Sequence, residues 1–192
     1  METASRFVDS PIRTERLVLT QPYDVPAEEV RHFFIENKAF HAPWEPLRAP
    51  SFYEQESIRR MLVRQGEENR GERALTLYLM LPGEQQVIGS ISLTNIIYGP
   101  FLSCFLGYRM ARSETSRGYM TEALRALIDI AFGRYGLHRI EANIMPANHA
   151  SVRLVENLGF INEGYSSRYL CIAGVWEGHC HHVLLNDEPI RT

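Results

Sequence analysis

Apolar residues at Met120, Ala123, Leu124, Leu127, Ile128, Ala131 and Phe132 recur with a helical period and give one buried face, which predicts an amphipathic helix opening just after Gly118. The polar run Glu114-Thr115-Ser116-Arg117 before it reads as the turn that leads in. After the helix, His138-Arg139-Ile140-Glu141-Ala142-Asn143-Ile144-Met145 alternates and predicts a strand over 138–145. Asn148-His149-Ala150-Ser151 then reads as the capped start of another helix, which runs out at Leu158-Gly159-Phe160.

Upstream, the same patterning predicts a strand near 16–20, helices near 26–38 and 54–65, and strands near 73–81, 86–95 and 102–111. Two strands close the chain. Ser51 with Glu54 three residues later has the form of a capping box for the second helix. The charged run Glu67 to Arg73 is read as a solvated connection. Residues Gln85 to Tyr108 lack charge, but Ser90, Ser92, Thr94, Asn95, Gly99 and Pro100 interrupt the stretch, so it predicts two buried strands joined at Tyr98-Gly99-Pro100 and no membrane span. Strands alternating with helices and ending in a hairpin predict an α/β (α+β) fold with a mixed, mostly antiparallel sheet and helices on both faces.

Composition narrows the function classes. The 192 residues suffice for one domain, residues 1–192, with no linker-like composition dividing them. A net charge of −3 with scattered Lys and Arg predicts neither a nucleic-acid stripe nor a membrane patch. Three cysteines without zinc-like spacing, and no apolar signal core at the N-terminus, are expectations of a reducing, cytoplasmic location. His179, Cys180, His181 and His182 offer metal-ligand atoms, yet they fall in an alternating strand whose successive side chains point to opposite faces, so no metal is expected.

The first turn of a helix leaves backbone N–H groups unpaired at the positive end of the dipole, and Gly118 there lets an anion approach them, with Arg117 adding charge. Around this turn the strand at 138–145, the Asn148-x-x-Ser151 turn, Leu158-Gly159-Phe160 and Glu163-Gly164 together resemble the GNAT N-acetyltransferases. Thr14-Glu15-Arg16-Leu17-Val18-Leu19 looks like that family's first strand, and Lys38 to Arg48, with Pro43-Trp44-Glu45-Pro46 at its centre, resembles the RimJ-type ribosomal-protein-alanine acetyltransferases. The resemblance implies acetyl-CoA held where two neighbouring strands splay apart. Its pantetheine would pair with the strand end at Met110, Ala111 and Arg112, and its pyrophosphate would lie over Ser116, Arg117, Gly118, Tyr119, Met120 and Thr121. The chain departs from the family at Thr115-Ser116, which replace a usual Gln-Gly pair.

The resemblance also implies direct attack by a primary amine in a ternary complex, the amine being that of the N-terminal alanine of a (ribosomal) protein or, alternatively, that of a small amine or peptide antibiotic. A non-catalytic CoA-binding protein of the same fold is the competing class. Ser151 matches a serine that protonates the departing thiolate in related enzymes, although its spacing equally suits a residue satisfying the first helical turn. Asn148 is the cap, with a secondary place near the pantetheine. Because an α-amino group titrates near ~8, a modest base suffices. Glu141 shares a strand face with Asn143 and is the candidate for that base, directly or through water; a surface carboxylate is the other reading. Glu45, walled by Trp44 and Phe40, is read as receiving a cationic N-terminus, with Asn95 and Tyr98 lining the same cleft; alternatively Trp44 packs inward and Glu45 faces water. A final hairpin of this kind can pair subunits, so a homodimer is compatible with the resemblance.

Overall fold

The computed structural model describes residue 8 and residues 11–186. They form an eight-stranded sheet in the order β1-β2-β3-β4-β5-β6-β8-β7. The strands are β1 Ile12–Arg13, β2 Val18–Thr20, β3 Leu75–Met80, β4 Gly89–Ile97, β5 Ser103–Met110, β6 Arg139–Ile144, β7 Ile161–Ile172 and β8 Val175–Leu185. All neighbours are antiparallel except β5 and β6, which are parallel because a helical crossover joins them.

Strand alternation sorts the core into two layers. Leu75, Leu77 and Leu79 of β3 face one side, where they join Leu124 and Leu127 of α4 (Tyr119–Asp129) and Val155 of α5 (His149–Glu156). Tyr78 and Met80 face the other side and pack with Phe33 and Phe34 of α1 (Ala27–Glu36) and Ile58 and Leu62 of α3 (Gln55–Arg70). Helices therefore cover both faces. A short helix α2 (Lys38–His41) and a 3-10 turn (Ala42–Trp44) follow α1 directly.

Two local expectations fail. Ser51 does not cap α3: Pro50 starts a 3-10 turn, Pro50–Tyr53, that absorbs Ser51, and Glu54 becomes the N-cap residue without a side-chain cap bond. Nor is the run from Glu67 a solvated connection. It continues α3 to Arg70, and Asn69 within it is fully buried, exchanging hydrogen bonds with the Thr76 backbone and donating to Gln21. A polar stretch hid a helical turn whose single inward residue is an amide.

The detail that positions the site is a parting of strands. β5 and β6 pair only at Ser103↔Arg139, Cys104↔Ile140 and Phe105↔Glu141; beyond that β6 stays with β8 and β5 stays with β4. The Ala111 N–H donates to Ile88 on the β4 side, so by alternation the backbone groups of Leu106, Tyr108 and Met110 face the opening.

Candidate active site

At the end of β5 the chain turns through a 3-10 segment, Arg112–Glu114, into the α4 N-terminus. Gly118 caps α4 at φ 80°, ψ −3°, a left-handed conformation natural to glycine. Ser116, where the resemblance leads to an expected glycine, also takes positive φ, 62°, so the turn has the shape a glycine would give with a strained serine. Arg16 flanks the turn. It donates to the Arg117 carbonyl at 3.0 Å, lies 5.0 Å from the Tyr119 ring centroid, and is held by Glu122, which also accepts from Thr14. Arg117 is exposed beside Glu114, Met120 packs against the core, and Thr121 completes the first turn.

Across the opening, the Asn148 side chain accepts from the Ser151 N–H at 3.2 Å and caps α5. The Tyr108 hydroxyl donates to the Ser151 carbonyl at 3.4 Å, bringing the α5 N-terminus against β5. Burial pushes the Tyr108 phenol up to about 12, so it stays protonated. Ser151, Tyr108 and the Gly118 turn thus gather on the α4/α5 face.

The other face is built from side chains. Arg109 points toward α1, with Phe105 and Gly107 on the same side by alternation; Gly107 leaves that floor bare, and a Cβ there would lie 2.9 Å from Ser92 Oγ. Glu45 neither faces bulk water nor is free for an incoming cation: one oxygen accepts from Arg109 Nε, the other from Nε and Nη2 of Arg48 at 3.1 and 3.0 Å. Burial raises its affinity for a proton, but the two guanidiniums more than offset this, and its titration is lowered overall. Trp44 is 38% exposed and Phe40 equally so, the reverse of an inward-packed tryptophan. The α1–α2 corner is fastened over the strand end by Asn37, which accepts from the Arg112 N–H at 2.8 Å, and by His41, whose Nε2 donates to the Met110 carbonyl at 2.9 Å. Burial lowers the His41 titration against the opposing pull of that bond, so the ring is neutral.

Glu141 and Asn143 share this face and meet on one imidazole. His181 Nδ1 lies 3.1 Å from Glu141 and 2.5 Å from Asn143 Oδ1, while its Nε2 is 2.8 Å from Ser166 Oγ. Since the carboxylate only accepts, Nδ1 carries the hydrogen and, in the neutral ring, Nε2 accepts from Ser166. Arg139 binds the second Glu141 oxygen at 2.8 Å and reaches Glu163 with its other nitrogen. Burial of Glu141 favours its protonated form, yet the bonds from Arg139 and His181 outweigh it and lower its titration, which makes it a weak direct base. The Tyr169 ring stands edge-on to His181 at 4.9 Å.

Asn95 and Tyr98 are not brought to this cleft. Asn95 occupies a bulge at φ 51°, at the end of β4 where β5 and β6 are still paired, and Tyr98 lies beyond it with its hydroxyl on the Glu72 carbonyl at 3.3 Å. The antiparallel turn carries both toward the closed end. Conversely, Arg109, Asn37, His41, Arg48 and His181 lie at the site without having been assigned a role in it. His41 and Arg48 gave a signal by sitting in the tryptophan segment, and His181 by its place in the 179–182 run, where it was weighed only as a metal ligand; Arg109 and Asn37 depend on pairings more than 35 residues apart. Among the described residues no group of three His, Cys, Asp or Glu side chains is arranged to hold a metal, and no helix is long and apolar enough to cross a membrane.

Residues 16–161 match the family described as Acetyltransferase (GNAT) domain. Over 168 residues the chain is 35% identical to the [ribosomal protein uS5]-alanine N-acetyltransferase of Escherichia coli K12, covering 88% of this chain and 87% of that one. The crystal structure of a ribosomal-protein-S5-alanine acetyltransferase from Vibrio fischeri superposes with a TM-score of 0.87 at 31% identity, covering 94% and 98%. Mycobacterium smegmatis RimJ in complex with CoA-disulfide gives 0.82 at 28% identity, covering 89% and 82%.

Proposed function

Because the chain belongs to the GNAT acetyltransferase family, and so is an acyltransferase, we propose that it transfers the acetyl group of acetyl-CoA to the N-terminal alanine of a protein, most simply a ribosomal protein, by direct attack in a ternary complex. The observation that carries this reading is the parting of β5 from β6 after Phe105↔Glu141, with the positive-φ Gly118 turn at the end of β5. It supports an extended thioester arm laid along Leu106, Tyr108 and Met110, its phosphates over residues 116–121.

The two faces then divide the work. The N–H groups of Tyr108 and Met110 have no partner strand on the β6 side and can donate to the carbonyl oxygen that becomes the oxyanion, a contribution of about 3 kcal/mol per donor. The amine approaches from the α1 face over bare Gly107. Its nitrogen attacks the carbonyl carbon, the tetrahedral intermediate collapses with cleavage of the C–S bond, and Ser151 at the α5 N-terminus passes a proton to the departing thiolate while taking one from solvent. Glu141 acts behind His181: it orients the imidazole, so the amine proton passes through water toward that pair and not onto the depressed carboxylate alone.

A steady-state panel tests the reading: alanine-start peptides, polyamines and aminoglycosides with acetyl-CoA. The peptides are expected to give the highest kcat/KM, and Ser151→Ala to lower kcat about 10- to 100-fold with acetyl-CoA affinity unchanged. Turnover of polyamines or aminoglycosides in preference to every peptide would replace the acceptor. CoA binding with no turnover of any amine would make this a binding protein of the same fold.

A further inference from the structure

We infer that Lys38, Arg48 and Arg109 form a subsite beside the opening for an anionic group carried by the acceptor close to its reacting amine, a carboxylate within the first few residues of a peptide. The inference rests on the acetyl-transfer reading for its acceptor, but its binding test stands apart from turnover. A cavity of about 100 Å³ lies between α1, α2 and the loop after Trp44, lined by Phe34, Lys38, His41, Glu45, Arg48 and Tyr53. That is room for a carboxylate with a water or two, each water taking about 30 Å³.

Charge and geometry name the ligand class. Glu45 is the single carboxylate of the lining; Arg48 of the lining and Arg109 beside it bind that carboxylate, and Lys38 adds a third cation to the wall. Arg48 spends Nε and Nη2 on one Glu45 oxygen, and Arg109 spends Nε alone on the other. Among the described residues, Nη1 of Arg48 and both terminal nitrogens of Arg109 make no hydrogen bond. Lys38 Nζ stands 4.8 Å from the Tyr53 ring centroid and the Arg48 guanidinium 4.1 Å from that of Phe52, so aromatic faces hold the cations without neutralising them. Arg31 binds the Tyr53 carbonyl at 2.8 Å and adds another positive charge behind the ring. Like charges gathered in a half-buried pocket repel and are costly to keep near one another unless an anion joins them. His41 links this pocket to the opening through the Met110 carbonyl, which sets it beside the bond-forming atoms. The cations lie on the α1 face of the sheet, opposite α4, so they are not the phosphate cradle.

The experiment uses the full chain, acetyl-CoA, and alanine-start hexapeptides that differ only in carrying Glu or Lys at positions two to four. The Glu set is expected to exceed the Lys set at least tenfold in kcat/KM at low salt, to fall to a few-fold at high salt, and to lose or reverse its advantage in Lys38→Glu. Free glutamate and aspartate form a second arm; turnover of either above the peptides also supports the subsite and assigns the anion to a small acceptor. Calorimetry of Nα-acetylated Glu and Lys peptides, with CoA present, reads the subsite without catalysis. Charge-dependent binding there with no turnover keeps the subsite and removes the acetyl-transfer reading. Turnover with less than a twofold charge preference, a preference that Lys38→Glu and Arg48→Gln leave intact, or a Lys38→Glu effect confined to acetyl-CoA affinity would each overturn it.

Discussion

On the α4 side of the β5–β6 opening the polar groups that line it are backbone N–H groups, held by a positive-φ turn and a capped helix; on the α1 side they are side chains from α2, β5, β6, β8 and two loops, already bonded to one another. Backbone donors depend on local conformation, and local conformation needs only a glycine, a cap and a helical period. Side-chain donors depend on long-range register. The first kind of site tolerates side-chain substitution at most positions, whereas the second changes with every side chain that builds it.

Removing Arg109 should break the α1 side most severely. Glu45 is 14% exposed at its side chain, and its backbone carbonyl also accepts from Ala173 at the tip of the β7–β8 hairpin, so the loop ties that hairpin to the α1 side of the opening. Arg109→Ala leaves a half-buried carboxylate with Arg48 alone. We expect a loss of about 2 kcal/mol in urea denaturation and about 100-fold in kcat/KM for the acceptor, with acetyl-CoA affinity changed less than threefold. Equal losses of both affinities would mean that the two sides are not separable.

Gly118→Val is the matching break on the α4 side. A β-branched residue at φ 80° is strained by about 1–2 kcal/mol, and its Cβ would lie 3.3 Å from an Arg16 nitrogen. Acetyl-CoA binding, measured calorimetrically, should weaken about tenfold, with the acceptor KM little changed. Ser116→Gly sharpens the point in the opposite direction. It relieves a serine at φ 62° and should raise stability by about 0.5–1 kcal/mol with acetyl-CoA bound no more weakly. A loss of affinity instead would show that the Ser116 hydroxyl itself reaches the ligand.

This difference also sets how much was legible before the fold was known. The α4 helix, the Asn148 cap with Ser151, the 138–145 strand and the two-faced sheet all follow from short-range periodicity, and each lies within a few residues of where that periodicity puts it. The parting of β5 from β6 left no local mark, because Leu106 to Met110 is patterned like any buried strand. Glu45 was read as an acceptor for a cation since nothing near it in sequence announces Arg109, 64 residues away. Glu141 and Asn143 were placed on one face correctly, but the histidine joining them lies 40 residues after Glu141, on a strand whose register the β7–β8 hairpin fixes. Tyr98 and Asn95 went astray for the same reason: they belong to the right strand pair and its wrong end.

Proton titration should separate the two sides by the smallest margin. Burial lowers the titration of His41 and His179 on the α1 face and of His182 on the α5 face, each from an ordinary value of 6.5. The folded protein therefore binds fewer protons than the unfolded chain as these groups titrate. Their contribution is complete above about pH 6.5 and is lost as pH falls through the lowered folded values. Glu45 and Glu141, lowered from 4.5, hold theirs above that value and lose it on further acidification. Urea denaturation should accordingly give a plateau above pH 7, a shallow decline toward pH 5 and a steeper one below pH 4.5. His41→Gln keeps a side-chain donor for the Met110 carbonyl while removing one titration, so it should flatten the shallow limb by no more than about 1 kcal/mol and leave the acidic limb alone. If the shallow limb is unchanged in that variant, the neutral His41 that fastens α2 over the opening is not what acid releases, and the α1 side owes its shape to the Asn37 bond to Arg112.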